Sequence, residues 1–436
     1  MSPVRFTHRS CTLLPLMDSL DVKGYFGLPD RPGETRVPGQ LAFSTADGGS
    51  LSLIGRLSGL GRQPSRLVGE AEGQSYTLED CLQAFSAPFR GKQVLLVQRV
   101  IVGAVYAKDE PVTADRVSLE LANLTRWAGT AGYAEAIRHE EGEQPTGRWT
   151  LSSDPIEPLS VSIPGGTLQL EQRRDWTGDG ITSRTLTQAA WFHIQFTEVL
   201  PLPDVTDVAS DLQDLVSIGT DRPAAFKHFR LWHPDLDRES PDGRRIRQPV
   251  DYLAEWNARP DEQKRPPRAH DMAFTFTELG GMDGVVKWLK VAAKYRSMLG
   301  RVMNTRYERR MFVQDRLLDR VAALEGLHRA WKRTGKKTVW LVVRLTDLAA
   351  LAGDPFTELV GDAKAWCERV KKERDNIAHH KGRPAHQDSG DMYFAAEAAY
   401  WLFVLCMLRL MKAPAAVFDH ITHCPQFAWA KDGLVR

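Results

Sequence analysis

Leu186-Thr187-Gln188-Ala189-Ala190-Trp191-Phe192-His193-Ile194-Gln195-Phe196 sets the character of the first half of the chain. Leu186, Gln188, Ala190, Phe192, Ile194 and Phe196 fall on every second position. That is the period of a strand with one face buried. Working toward the N-terminus, Leu168 and Leu170 alternate in the same way, as do Leu159, Val161 and Ile163, and Val117, Leu119 and Leu121. Val94 to Tyr106 is a near-continuous apolar run and predicts one strand buried on both faces. Leu41 and Phe43 lie across Asp47-Gly48-Gly49 from Leu51 and Leu53, which predicts a hairpin. Tyr76 to Ser86 mixes polar and apolar residues and is read as a short helix, and the first 22 residues as an irregular leader or a first strand. Gly, Pro and Asp clusters separate the segments, so roughly 20–200 is expected to be a mostly antiparallel β domain. Asp175-Trp176-Thr177-Gly178-Asp179-Gly180 is a turn between strands, because two acids four positions apart cannot supply the ligands of a calcium loop.

Toward the C-terminus the period changes. Val205 to Val216 is helical, and Ala224 to Trp232 is one more strand in which His228 is an ordinary strand residue. Pro234 to Pro267 is a polar, basic surface excursion with a helical turn at Tyr252 to Trp256. From Met282 onward the spacing is helical: Val285, Trp288, Leu289 and Ala292, then Leu317, Val321, Leu324, His328 and Trp331. Val339 to Leu351 fits a helix or a strand. A helix opening at Asp354-Pro355 then carries Phe356, Leu359, Val360, Ala363, Trp366, Val370, Arg374 and Ile377 on one face. The last helix runs from about Asp391 to Lys412 and contains the apolar run Tyr400 to Met411. The expected class is α+β, with an N-terminal antiparallel β domain followed by an all-α bundle. The boundaries are a leader over 1–22, a β-rich domain over 23–204, a mixed connecting region over 205–281 and a helical domain over 282–436.

The chain has 436 residues, enough for two or three domains, and 42% hydrophobic residues, enough for a real core. Its net charge of +2 excludes a polycation. Five scattered cysteines, Cys11, Cys81, Cys367, Cys406 and Cys424, argue for a reducing compartment and against a disulfide framework. His420, His423 and Cys424 are three donors without a fourth, so no metal and no cofactor are expected. No signal-peptide pattern is visible, and Tyr400 to Met411 is too short to span a bilayer, so a cytoplasmic protein without a membrane partner is expected.

Chemistry concentrates at Arg374-Asp375-Asn376-Ile377-Ala378-His379-His380, just before the breaker Lys381-Gly382-Arg383-Pro384. Arg keeps its charge and can clamp a phosphate, and His can move a proton near neutral pH. Together they suit metal-free cleavage of RNA. An Arg followed by a His five or six positions on also occurs at Arg222 and Arg265, but prolines follow both. Five residues of ideal helix turn through about 140°, so His379 shares a site with Arg374 only if the last turn unwinds before Gly382 or a partner chain completes the site. The plainer reading is a helix C-terminus decorated with cations. From Asp283 to Arg344 there are sixteen Lys and Arg against five Asp and Glu, a basic region suited to a polyanion.

With these residues in view, the last 130 or so positions resemble a HEPN domain of the ApeA-like group, whose Arg-x4-6-His motif is matched by Arg374 to His379 or His380. The opening of the β half, Gly24-Tyr25-Phe26 through Pro38-Gly39-Gln40-Leu41 to Leu51-Ser52-Leu53-Ile54-Gly55, resembles the ApeA N-terminal domain. The resemblance implies a bacterial anti-phage protein that arrests infected cells by cutting RNA, with tRNA as the target. Arg374 and His379 become the catalytic pair, Asp375 the polar residue after the Arg, and His380 a second candidate histidine. The implied reaction is attack of the ribose 2′-hydroxyl on phosphorus, leaving a 2′,3′-cyclic phosphate and a 5′-hydroxyl. Arg374 stabilises phosphoryl charge, His379 acts as acid or base, and Asp375 or Asn376 orients them. A homodimer through the helical domain would place two motifs in one cleft, and a phage-derived trigger would act at the β domain. The competing reading is a non-catalytic HEPN module that binds RNA or dimerises, with Arg374 in a structural salt bridge. A β-domain carbohydrate or peptide binder with an appended dimeriser rests on fold analogy alone.

Overall fold

The computed structural model describes residues 19–31, 36–57, 65–87, 92–138, 148–236, 238–239, 243, 245–256, 258–259, 265–308, 310–333, 339–378 and 389–435. Strands β1 (Ser19–Gly27), β2 (Val37–Ser44), β3 (Gly48–Ile54), β4 (Ser65–Ala71), β5 (Gln74–Ala87) and β6 (Lys92–Val97) form a closed antiparallel barrel in the order β5-β4-β1-β2-β3-β6, with β6 returning to β5. Phe26, Leu41, Leu51, Leu67, Leu78 and Leu95 are inaccessible in its interior. Closure leaves no edge strand open to pairing. The expected hairpin is β2–β3, with Leu41 opposite Leu51. The helix expected at Tyr76 to Ser86 is instead part of β5. This strand is shared by the barrel and a second sheet, so Thr77 is buried as well as Tyr76 and Leu78, and the alternation is hidden. Thr77 is satisfied there by donating to Ala104 O at 2.9 Å.

The chain continues through β7 (Arg99–Val102), β8 (Thr113–Leu121), α1 (Leu124–Ala128), β9 (Ala134–Arg138), β10 (Arg148–Ser152), β11 (Leu159–Ile163), β12 (Gly166–Thr177), β13 (Thr185–Pro201), α2 (Leu202–Thr220), β14 (Phe226–Trp232), β15 (Arg238–Glu239), β16 (Arg245–Ile246) and β17 (Val250–Ala254). Outward from β5 the sheet runs β7-β17-β14-β8-β13-β12-β11, antiparallel throughout, while β9–β10 and β15–β16 are separate hairpins. Two further expectations are corrected. The run Val94 to Tyr106 is two strands divided at Gln98, because β6 and β7 both pair with β5 but on their other side β6 meets β3 of the barrel while β7 meets β17. The turn expected at Tyr252 to Trp256 overlaps β17, which is inserted between β14 and β7 and pairs with both. Ala190, Phe192, Ile194 and Phe196 of β13 do face the core, as their alternation predicts.

The remainder is helical: α3 (Gly281–Tyr307), α4 (Val313–Lys332), α5 (Leu341–Ala352), α6 (Asp354–Val360), α7 (Ala363–Ala378), α8 (Ser389–Leu410), α9 (Ala415–His423) and α10 (Pro425–Val435). The ambiguous stretch before Asp354 is thus a helix, and two further helices follow α8. From Tyr400 to Leu408 no side chain of α8 is more than 2% exposed. The chain itself covers this apolar run, packing α3, α4, α5, α6 and α10 around it. Among the described residues α8 is the one helix long and apolar enough to cross a membrane, and most of it is buried in this core. One hydrophobic core runs from the inner face of the sheet through α2 and α3 to α8.

Ion pairs, some of them with buried carboxylates, join α2 to the bundle. Arg296 on α3 reaches Asp207 at 2.7 Å and Asp211 at 2.6 Å. Arg306 pairs with Asp221 just after α2 and with Glu397 of α8 at 3.2 Å. Arg320 of α4, fully buried, donates to Glu397 at 2.8 Å and to Ala396 O at 2.7 Å. Part of the basic surplus of this region is therefore spent inside the fold.

Candidate active site

The motif is carried by α7. Gly361, at φ 71°, separates α6 from α7. The motif helix therefore starts at Ala363, and Asp354-Pro355 opens the short α6. A positive φ cannot be continued through a right-handed helix and suits Gly. Asp362 then accepts the N–H groups of Lys364 and Ala365 at 2.9 and 3.0 Å, the role of an N-cap. Trp366, Cys367, Val370 and Glu373 form the buried stripe of α7. Trp366 packs edge-on against Phe356 of α6, ring centroids 5.0 Å apart. The stripe continues at Glu373, not at Arg374 as the apolar spacing suggests. Arg374 lies at its margin, with 36% of its side chain exposed.

Arg374 Nη1 donates to Asp375 Oδ1 at 3.2 Å, and its Nη2 lies 3.6 Å from Glu325 Oε1 on α4. Both carboxylates are shared. Asp375 also takes Lys371 at 3.0 Å, and Glu325 takes Arg329 at 3.1 Å. Burial pushes the Asp375 carboxyl up, but hydrogen bonds from Lys371 and Arg374 outweigh it and hold the group below its ordinary value. Three cations, Arg329, Lys371 and Arg374, thus meet two carboxylates at the C-terminal end of α7. Asn376 and Ile377 are half-buried beside them, Ile377 against the core. His379 and His380 lie outside the described residues. Glu325 and Lys371 were not marked by the Arg-to-His pattern. Lys371 was accessible as the i,i+4 partner of Asp375, whereas Glu325 is 49 positions away.

Other polar clusters have structural explanations. His328, one turn along α4 from Glu325, bonds Asp347 at 2.9 Å and receives Arg344 at 3.4 Å, but it is 1% exposed. In the sheet, Ser118 Oγ bonds His193 Nδ1, and His193 Nε2 lies 2.7 Å from Glu171. The Ser–His–acid order is that of a nucleophilic relay, but Ser118 is 1% exposed and no substrate reaches it. The hydrogen bond from His193, with Arg173 adding to it, holds Glu171 at about 2 against the effect of burial. His228 stacks on Trp191 at 5.4 Å, and burial lowers its pKa to about 4. Asp179 caps its own turn by accepting the N–H groups of Ile181, Thr182 and Ser183. His420 is held by Glu278 at 2.7 Å. The thiols of Cys81, Cys367, Cys406 and Cys424 are buried and their pKa values raised, that of Cys367 to about 11, so none is a ready thiolate.

Comparison with curated proteins and with solved structures finds no match. The family model described as ApeA N-terminal domain 1 matches residues 21–288. That span takes in the barrel, the extended sheet, α1, α2 and the opening of α3, and it stops short of Arg374. More than half of the sequence lies within it, so the chain belongs to the ApeA N-terminal domain 1 family.

Proposed function

We propose that this chain is a HEPN-type endoribonuclease of anti-phage defence that cuts RNA, tRNA in particular, through the motif on α7. Membership of the ApeA N-terminal domain family supports the defence role. The observation that carries the site is the charge arrangement around Arg374. Three cations share two carboxylates, one of the carboxylates arriving from α4. A phosphodiester is the third anion this arrangement accommodates, and Arg374 is the planar donor suited to bind it.

The 2′-oxygen attacks phosphorus as its proton passes to a base, the bond to the 5′-oxygen breaks, and an acid protonates that oxygen. Arg374 stabilises the charge on the non-bridging oxygens. His379, or His380, moves a proton, and Asp375 and Asn376 orient the pair. One chain supplies one motif, and the reaction uses two proton transfers. A two-fold dimer through the helical domain brings two motifs to one cleft. Because α8 is covered by its own chain, that dimer uses another surface of the bundle.

The second reading, a non-catalytic module in which Arg374 is a structural ion pair, draws on the same contacts to Glu325 and Asp375. Purified protein is incubated with total tRNA in EDTA beside folded Arg374→Ala and His379→Ala proteins. Cleavage by wild type alone, with cyclic-phosphate ends, is the expected result. Binding without cleavage under conditions that make the protein toxic in cells would favour the non-catalytic module.

A further inference from the structure

At the end of the extended sheet's inner face, where α1 and the segment leading into α3 approach each other, lies a cavity of about 640 Å³. That volume is in the range of small-molecule sites. Arg126 of α1, Lys227 of β14 and Arg268 of the segment before α3 converge on it. No Asp or Glu is among the described lining residues. Glu120 lies 3.7 Å from Lys227, and burial weakens its acidity. Asp271 is engaged by the Arg268 backbone N–H at 2.9 Å and by Arg265 at 3.4 Å. Three cations thus border one cavity whose described lining holds no carboxylate, Lys227 alone being offset by Glu120, and the resulting positive field favours an anionic occupant.

Hydrogen bonds and close packing tie together the backbone around the cavity. Gly219 of α2 sits so close to α1 that a Cβ there would meet Trp127 Nε1 at 2.4 Å. Trp127 in turn donates to Phe274 O at 3.1 Å and accepts from Phe276 N at 3.1 Å, which fixes α1 to the segment entering α3. Gln188 accepts Gly132 N at 2.8 Å and donates to Thr130 O at 2.6 Å, holding the loop that carries Tyr133. Tyr133 lines the same cavity with 47% of its surface exposed, a flat ring without a partner ring among the described residues.

We propose that this cavity binds a small phosphorylated ligand bearing a planar ring, a mononucleotide in chemical class. Its phosphates lie among Arg126, Lys227 and Arg268, and its ring lies against Tyr133. The site is separate from α7 and independent of the nuclease reading. It spans two strips of chain far apart in sequence, so an occupant bridges the region around α1 to the Pro266–Ala269 segment that precedes α3.

The test is calorimetric titration of the full chain with inorganic pyrophosphate, AMP, ATP and a single-stranded oligonucleotide. Wild type, Arg126→Ala/Arg268→Ala and Tyr133→Ala proteins are compared, and all three positions are exposed enough to keep the fold. Saturable ATP binding is expected, weakened at least ten-fold in the double variant. Tyr133→Ala is expected to weaken AMP while leaving pyrophosphate unchanged. Absence of saturation by every probe overturns the proposal. So does equal binding by wild type and the double variant, or tighter binding of the oligonucleotide than of any mononucleotide, which would make the cleft part of an RNA track.

Discussion

Arg374 shows how little a charge pattern says until its neighbours are placed. It is only partly buried, and its two carboxylate contacts are partly exposed, so the ion pairs contribute little to stability, about 0–1 kcal/mol each. A guanidinium aimed at developing phosphoryl charge is worth more, about 3–4 kcal/mol in a preorganised site. Arg374→Ala is therefore expected to lower RNA cleavage by roughly 10²–10³-fold while moving the melting temperature by only a few degrees. Cleavage assays and scanning fluorimetry on the same preparation test the difference, and a collapse of the melting transition would mean the pair is structural. On the proposed reading, Glu325 and a phosphate compete for the same guanidinium. Glu325→Gln is expected to tighten RNA binding several-fold at low salt, read by fluorescence anisotropy, and to leave the fold intact.

At the scale of elements, the α2–α3 contact carries the strongest titration signature. Tyr307 donates to Asp214 at 2.6 Å, with Ser217 Oγ 3.0 Å from the same hydroxyl, and burial pushes Asp214 up to about 8. The folded chain thus holds a proton that the unfolded chain releases near pH 4. Stability contributed by that proton is present at low pH and declines as pH rises from about 4 toward 8. Asp214→Asn keeps a neutral acceptor for Tyr307. Its melting temperature is expected to gain on wild type progressively between pH 5 and pH 8, and a constant gap across that range would rule out this titration. The Glu397 contacts behave differently, because removing one member leaves Arg320 buried without its countercharge. Glu397→Ala is expected to cost about 3–5 kcal/mol, measured as a loss in the urea midpoint.

For the whole molecule, the family-matched β half and the helical bundle share a continuous core and an ionic junction. Strain or order imposed on the sheet therefore has a packed route to α8, which follows the motif segment in the chain. The proposed dimer has its own test. Mixed dimers with one wild-type and one Arg374→Ala chain are expected to lose most of the activity. Retention of half would mean that each chain works alone.

The alternating runs, the Asp47-Gly48-Gly49 turn and the helical spacing beyond Met282 made the antiparallel β half and the all-α half legible before any coordinates. Local periodicity reports directly which face of an element is buried. It failed where an element has two buried faces or where a long-range partner decides. Tyr76 to Ser86 belongs to a strand because the barrel and the extended sheet both use β5, and Tyr252 to Ala254 are strand residues because β14 and β7 leave a slot between them. The site divides in the same way. Helical spacing up to Ile377 and the Gly382 and Pro384 that follow were enough to put Arg374, Asp375 and Asn376 near the end of a helix. Helix packing alone brought Glu325 from α4 to Arg374 and put Glu373, not Arg374, on the buried line, because the contacts between helices are not contained in the spacing along any one of them.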